Sequence, residues 1–299
     1  MLDYRKILEY QHLFDKFHTI NATVYSINLN SKKVFVTHGV EEIFGCPKEV
    51  FDRKYWKKVI HPEDREKVLR WEKQLSSGKE PTYIQYRILR GDNEIRWLED
   101  HLSPVENLFG ETEELLGLLI DITDKKVAEQ QMEYMAYHDT LTGLPNRNMF
   151  NEYSRKALAR CKRKGMNLAL LFLDLDNFKQ INDNYGHTTG DQVLIQVAER
   201  LNQCIRDGDI VARVGGDEFI ILLEETDRVR TEQVVLRILD NLSAPYKVNG
   251  EYFKLTASVG ISIFPDDGTD IETLKKHADE AMYSSKNRGC NLYTFYQKE

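Results

Sequence analysis

Two carboxylates, Asp174 and Asp176, end the run Leu168-Ala-Leu-Leu-Phe-Leu-Asp174-Leu175-Asp176. The apolar residues leading into them form the pattern of a buried strand. Alternation along a strand puts Asp174 and Asp176 on one face and Leu175 on the other. Two like charges on one face repel unless cations or hydrogen-bond donors sit between them. Hard oxygen ligands of this kind suit Mg²⁺, which takes one or two carboxylates together with substrate phosphates. A second concentration of acid lies in Arg213-Val-Gly215-Gly216-Asp217-Glu218-Phe219-Ile-Ile-Leu222. A Gly-Gly pair between two strand patterns predicts a tight hairpin and lets the backbone approach a ligand closely. If that hairpin lies beside the Leu168–Leu173 strand, Asp174, Asp217 and Glu218 converge at one edge. Such a cluster can hold two divalent ions for in-line phosphoryl or nucleotidyl transfer. The plainer readings are a strand ending where solvated acids begin, and a hairpin using glycine as hairpins commonly do.

The surrounding pattern supplies a scaffold. From Asp139 onward, strand and helix periods alternate. Helices are expected at Asn146–Lys164, Gly190–Cys204, Glu232–Leu242 and Ile271–Lys286. Strands are expected at Leu168–Leu173, Ile210–Val214, Phe219–Leu223 and Thr256–Phe264. This alternation indicates one mixed sheet covered by helices.

The first third reads differently. Thr23–Leu29 alternates apolar and polar, and Lys33–Thr37 follows an Asn-Ser-Lys turn, so the two predict a hairpin. Glu41–Phe44 and Pro47–Phe51 read as short helical turns. His61-Pro62-Glu63-Asp64 is expected to open an amphipathic helix with Val68, Leu69 and Leu75 on its apolar side. Strands follow at Thr82–Leu89, Glu94–Leu102 and Glu114–Ile122, with Gly91-Asp92-Asn93 turning the first into the second. An antiparallel sheet with small helices is the simplest assembly. The order resembles a PAS domain over roughly residues 15–124, through Arg96-Trp97-Leu98, Asp121-Ile122-Thr123 and the His61–Asp64 helix start. Between the two patterns, Asp124–His138 reads as a helix with Ala128, Met132 and Met135 on a narrow apolar stripe. That stripe suits a short parallel coiled coil, or else packing on the helix's own domain.

At 299 residues, 41% hydrophobic and 30% charged, the composition is that of globular domains, with room for two cores. A net charge of −7 disfavours dispersed nucleic-acid binding, which needs clustered Lys and Arg. The four cysteines (Cys46, Cys161, Cys204, Cys290) show no metal-ligand or disulfide spacing. No apolar run approaches the length of a membrane span and the opening residues carry no apolar signal core, so a cytoplasmic protein without membrane contact is expected.

Gly215-Gly216-Asp217-Glu218-Phe219 is the motif that names the GGDEF family, the diguanylate cyclases, and the second domain resembles that family over about 139–297. Also in place are His138-Asp139-Thr-Leu-Thr-Gly-Leu-Pro-Asn146-Arg147, Asp174-Leu-Asp-Asn-Phe178-Lys179, Asn182, Gly186-His187 and Gly190-Asp191. The resemblance implies an α+β chain. A PAS sensor domain occupies 1–124, with an N-terminal helix at about 3–18, and a helical linker spans 125–138. A GGDEF domain with a mixed, palm-like central sheet occupies 139–299. It implies condensation of two GTP into cyclic di-GMP with release of two pyrophosphates, using Mg²⁺ or Mn²⁺, two ions per active site. Asp174, the Leu175 carbonyl, Asp217 and Glu218 are the implied metal ligands. Asp217 or Glu218 is the implied base, and Lys179 a phosphate or transition-state contact. Asn182 and Asp191 are the implied guanine readers; an amide and a carboxylate match guanine's edge, and adenine lacks the matching donors. Phe178, His187, Gly215, Gly216 and Lys286 complete the implied substrate site, while Cys290 stands where the family often has a basic residue. Arg206 and Asp209 match the family's R-x-x-D product-inhibition site, with Arg237 as a second basic contact there.

Each site would hold one GTP, so a homodimer through the PAS domain and linker helix is implied, with the PAS domain regulating how often the two sites meet. The alternative is a catalytically silent GGDEF receptor that binds GTP or cyclic di-GMP and signals to a partner. A third possibility makes the PAS domain the main unit, with a ligand the residues do not identify. His12, His18, His38, His61 and His101 are conceivable haem ligands but more ordinary as surface or core residues, as are Trp56, Trp71 and Trp97 as packing aromatics.

Overall fold

Strand periodicity in the first third assembles one sheet. Ala22–Asn28 (β1), Val34–Val36 (β2), Thr82–Leu89 (β3), Ile95–Glu106 (β4) and Thr112–Asp121 (β5) pair antiparallel in the order β2-β1-β5-β4-β3. In this computed structural model residues 21–75, 82–107 and 109–298 are described. The helix expected at about 3–18, with His12 and His18, lies outside the described residues. The chain divides into two compact units, Met1–Gln130 and Gln131–Glu299.

In the first unit the sheet carries small helices at Gly39–Phe44 (α1), Arg53–Val59 (α2) and Arg65–Leu75 (α3). The helix α2 escaped the sequence reading because only Trp56 and Val59 of its seven residues are buried, too few to set a period. Its start is marked by Asp52, whose carboxylate accepts from the Tyr55 amide at 2.6 Å. The next helix starts at Arg65 rather than at His61. The Asp64 carboxylate is taken by Arg87 instead, accepting from its backbone N at 2.8 Å, Nε at 2.9 Å and Nη2 at 2.8 Å. Those bonds, led by the Arg87 side chain, hold the Asp64 carboxyl below its usual range. Arg96-Trp97-Leu98 and Asp121-Ile122-Thr123 grip one another. Arg96 Nη1 donates to Asp121 Oδ2 at 2.7 Å, the Trp97 amide to Thr123 Oγ1 at 2.9 Å, and the Ile122 amide to the Trp97 carbonyl at 2.8 Å.

Thr123–Tyr137 (α4) is a helix with no buried residue. Met132 and Met135 are 71% and 55% exposed, and Val127, Tyr134 and Tyr137 are exposed beside them.

The second unit is a five-stranded sheet ordered β12-β11-β6-β8-β7, built from Leu168–Asp176 (β6), Ile210–Gly215 (β7), Glu218–Glu224 (β8), Thr256–Phe264 (β11) and Tyr293–Phe295 (β12). The β11–β12 pair is parallel and the rest antiparallel, so the sheet is mixed. A separate ribbon joins Tyr246–Val248 (β9) and Glu251–Phe253 (β10). Helices are Arg147–Lys164 (α5), Phe178–Tyr185 (α6), His187–Gln203 (α7), Arg228–Ser243 (α8) and Ile271–Asn287 (α9). Alternation divides β6 between two cores. Ala169, Leu171, Leu173 and Leu175 join residues of α6, α7 and α8, whereas Leu168 and Leu170 join residues of α5 and α9. Asp174 and Asp176 therefore belong to the α5–α9 side.

Candidate active site

Strand β6 runs three residues further than its apolar stretch, through both aspartates, because β11 continues to pair with it: Ser258 opposes Asp174 and Thr256 opposes Asp176. The two acids then part in role. Asp176 is saturated by donors, accepting from Thr256 Oγ1 and Ser258 Oγ, each at 2.7 Å, and from the Asn291 amide at 3.0 Å. It anchors β11 and the segment after α9 to β6. Among the described residues Asp174 has no such hydroxyl or amide donors, and it faces Lys286, whose Nζ stands 2.6 Å from Oδ1.

Lys286 reaches Asp174 because α9 lies against β11 with no side chain between them at Gly260. A Cβ there would come within 2.0 Å of the Ala278 carbonyl oxygen and 2.1 Å of the Met282 amide nitrogen. Ser285 Oγ donates to the Val259 carbonyl at 2.9 Å and Ser262 Oγ to the Leu274 carbonyl at 2.8 Å, pinning the helix along the strand.

Across the other edge of β6, Glu218 opposes Asp174 in the β6–β8 register. Opposed residues share a face, with Cβ atoms about 5 Å apart. Asp217 sits in the turn between β7 and β8, and its carbonyl accepts from the Leu175 amide at 3.3 Å, which latches the turn to β6. Gly215 and Gly216 are exposed, with open space where side chains would stand. Electrostatics follow from this crowding. Burial, then Asp174, Asp217 and Asp279, push the Glu218 carboxyl up. Burial also pushes Asp174 up, with Lys286 opposing and Asp217 adding to the rise. Burial works against the charge on Lys286, but the ion pair with Asp174 prevails and its pKa rises.

Among the described residues no group of three or more His, Cys, Asp or Glu side chains closes around a point as a metal cage. Mg²⁺ does not need one, since it keeps waters and takes part of its shell from phosphates. The donor set fits such an ion: two acids on one face with raised pKa values and an ammonium already drawn against one of them.

The turn is braced by residues to which the sequence reading assigned no role. Arg213 Nε donates to the Gly216 carbonyl at 2.9 Å, and its Nη1 pairs with Asp139 Oδ1 at 3.0 Å. Burial works against the Asp139 charge, but bonds from Thr142 and from Arg213 prevail and lower its pKa. Arg147 Nη2 donates to the Val214 carbonyl at 3.3 Å. Asn146 caps α5 through Oδ1, and its Nδ2 donates to the Met135 and His138 carbonyls. Their signal in the sequence was the family motif His138–Arg147, which names the residues but not their partners, and an Arg before the Gly-Gly pair.

The remaining residues form two further groups. Lys179, in the first turn of α6, is exposed, whereas the Phe178 ring is buried in the core beneath it. Asn182 is half-buried, and a Cβ on Gly190 would stand 1.9 Å from its Oδ1, so α7 starts where Asn182 needs the space. His187 and Asp191 are exposed one turn apart on α7. Arg206 and Asp209 lie at the start of β7, the strand's far end from Gly215, roughly 20 Å away at about 3.3 Å per residue. The Asp209 side chain is 4% exposed and accepts from the Glu224 amide at 3.1 Å. Burial raises its pKa. Arg206 Nη2 donates to the Glu224 carbonyl at 2.6 Å, and Arg237 Nη2 to the Cys204 carbonyl at 2.6 Å. Cys290 is half-buried beside Asp176 and carries a thiol pushed up by burial.

Residues 136–292 match the family described as "Diguanylate cyclase, GGDEF domain", and residues 33–119 match the PAS fold. The chain is 41% identical over 172 residues to the cyclic di-GMP phosphodiesterase NbdA of Pseudomonas aeruginosa, covering 58% of this chain and 22% of that protein. It is 33% identical over 217 residues to the diguanylate cyclase DgcM of Escherichia coli K12, covering 73% of this chain and 51% of that one. The chain thus spans about half, or less, of the length of these relatives. Among solved structures, the coiled coil and GGDEF domain of DgcB from Caulobacter crescentus, in complex with c-di-GMP, aligns with a TM-score of 0.53 at 28% identity. That alignment covers 58% of this chain and 93% of that one.

Proposed function

The chain belongs to the GGDEF family, and on that premise we propose that it is a diguanylate cyclase, joining two GTP into cyclic di-GMP with loss of two pyrophosphates. The observation that carries the reading is the pairing of Asp174 with Glu218 on one sheet face, with Asp217 latched beside them through Leu175. Mg²⁺ or Mn²⁺, two ions per site, would be held by Asp174, the Leu175 carbonyl, Asp217 and Glu218, and would neutralise triphosphate charge and acidify the ribose 3′-hydroxyl.

The chain's own groups do the rest. Glu218 or Asp217 takes the 3′-hydroxyl proton; the raised pKa of Glu218 brings it closer to the working pH of a base. The freed oxygen bonds to the α-phosphorus of the GTP on the second protomer, and the bond from that phosphorus to the pyrophosphate oxygen breaks. Lys286, already against Asp174, and the exposed Lys179 hold phosphate oxygens as point charges. With the Phe178 ring buried, that residue's contribution is backbone at the α6 N-terminus, where N–H groups donate to an anion. The exposed glycines leave room for the triphosphate, and Asn182, His187 and Asp191 line the corner between α6 and α7 for guanine.

Two protomers must face each other, and the exposed Met132 and Met135 of α4 offer the seam of a paired helix. The region matching the PAS fold sets how often the sites meet, and product bound at Arg206, Asp209 and Arg237 restrains them. A silent receptor is the second reading, favoured by the phosphodiesterase named among the relatives. Incubation with GTP and Mg²⁺, followed by chromatography, separates the two. Cyclic di-GMP with pyrophosphate in a ratio of one to two, absent from Glu218→Ala, is the expected result. Saturable GTP binding without product, after removal of any bound nucleotide, sinks the cyclase and leaves the receptor.

A further inference from the structure

The first unit encloses a cavity between β1, β3, β4 and the small helices. Its wall is aromatic, with Tyr25, Phe44, Trp56, Trp71 and Tyr86, and Asp100 projects into it. Asp100 is 1% exposed. Tyr25 Oη donates to its Oδ1 at 2.8 Å and Tyr86 Oη to its Oδ2 at 3.2 Å, while Trp56 Nε1 donates to Tyr86 Oη at 2.9 Å. No ion pair to Asp100 is found among the described residues. The basic residue that lines the cavity, Arg53, is taken by Glu72 at 2.6 Å, which Lys57 also reaches at 3.3 Å. On the same wall the indole N–H of Trp71, a residue 8% exposed, has no acceptor among the described residues. A buried donor without a partner is costly, and so is a buried carboxylate without a counter-ion.

The two deficits are complementary. One asks for a positive charge, the other for a hydrogen-bond acceptor, and the wall to which both belong carries aromatic rings, which favours an organic cation. The cavity is about 40 Å³, room for roughly three waters at about 10–15 Å³ each. We propose that it binds a small organic ammonium compound of amino-alcohol size, with the ammonium against Asp100 and the acceptor on the Trp71 N–H. A haem or a flavin is far too large for this space, and none of His38, His61 and His101 lines it. The proposal does not depend on the cyclase reading.

The groups facing Asp100 set its response to pH. Tyr25 from β1 and Tyr86 from β3 donate to it, and its neighbour His101 favours the charged form, whereas Arg53 and Glu72 neutralise each other on the helices. Burial outweighs these donors and pushes the carboxyl up to about 7. An ammonium ligand selects the ionised form, so its affinity rises as pH rises through that value.

The test uses the full chain and three probes of equal heavy-atom count: ethanolamine, ethylene glycol and acetate. Tryptophan fluorescence and the indole N–H resonance of Trp71 (assigned by its loss in Trp71→Phe) report binding. Ethanolamine is expected to saturate both signals at least tenfold more tightly than the neutral and anionic probes. Its affinity is expected to gain about tenfold from pH 6 to pH 8 and to fall at least tenfold in Asp100→Asn. Equal or tighter binding of ethylene glycol or acetate overturns the proposal. So does unchanged ethanolamine affinity in Asp100→Asn, or no saturation by any probe up to roughly 100 mM.

Discussion

Asp100 and Asp174 are both buried carboxylates on a central strand, each with a raised pKa, yet their surroundings differ in kind. Asp100 lies in an apolar chamber with two phenol donors, and the other acid that lines it, Glu72, is held by Arg53 and Lys57. Asp174 lies two residues before the end of β6, where Glu218 and Asp217 crowd it and Lys286 has been drawn in. Burial alone therefore does not say what a carboxylate is for. A lone acid among donors and rings selects one small ligand charge, whereas acids pressed together at an open edge call for concentrated positive charge, of which a lysine supplies only part.

Removing one acid from the crowded edge is the largest expected perturbation. Glu218→Gln keeps size and hydrogen bonding but removes the base and one source of repulsion. Product formation from GTP should fall by about 10²–10⁴ while thermal unfolding of the second unit stays within a few degrees or rises. An active Glu218→Gln enzyme would dissolve the contrast with Asp100, because the edge would then be structural too.

In the closed chamber the corresponding measurement is stability against pH. The Asp100 carboxyl, ordinarily at 3.8, is raised to about 7 on folding. Between those values the folded unit holds a proton that the unfolded chain has lost, so stability falls as pH climbs from about 4 to about 7 and levels above. The accumulated loss is about 4 kcal/mol. All three tryptophans (Trp56, Trp71, Trp97) lie in the first unit, so denaturant titration followed by their fluorescence isolates it. In Asp100→Asn this fall should disappear, so the variant's profile departs from the parent's across that window. A parallel pair of profiles would mean that Asp100 stays ionised inside the chamber.

The residues differ in how readable they were. The acids of the crowded edge were legible because strand alternation and a Gly-Gly hairpin are local patterns, and the family motifs sit on contiguous runs. What Asp176 does was not. Its donors Thr256, Ser258 and Asn291 are 80, 82 and 115 residues away, and nothing nearby separates an anchoring aspartate from a ligating one two positions earlier. The helix α6 and the strand β12 were missed for want of length, eight and three residues being too short to show a period. The chamber was invisible for the same reason as the anchor: Tyr25 and Tyr86 meet Asp100 across 75 and 14 residues. Trp71 reads as packing in the sequence, and its N–H reveals itself only by lacking an acceptor among the described residues.

A smaller effect should come from the lysine that partly answers the crowded edge. Lys286→Met keeps the stem and removes the charge, so Asp174 loses its ion pair and the triphosphate one contact. A charge-assisted bond of this kind corresponds to roughly tenfold in kcat/KM for GTP. The contrast with Asp100 sharpens if Lys286→Met needs less Mg²⁺ for half-maximal product formation, the ammonium no longer competing for Asp174, and weakens if neither the metal requirement nor kcat/KM changes.

The smallest expected effect concerns the brace rather than the acids. Asp139 holds Arg213, and Arg213 holds the Gly216 carbonyl, so the turn bearing Asp217 is tied to the residues that follow α4. Asp139→Asn keeps the acceptor for the Thr142 amide and removes the charge that orients the guanidinium. Because both side chains are partly exposed, solvent screens much of the loss, and unfolding of the second unit should shift by only about 1 kcal/mol. The turn itself is affected more than its stability. A guanidinium free to rotate lets Gly216 drift, and Asp217 with it, so product formation should fall several-fold with little change in GTP binding. Arg213→Lys is the sharper variant, since an ammonium reaches one of the two acceptors but not both. If Arg213→Lys matches the parent in product formation, the brace is packing alone, and the edge acids are positioned by β6 and β8 without it.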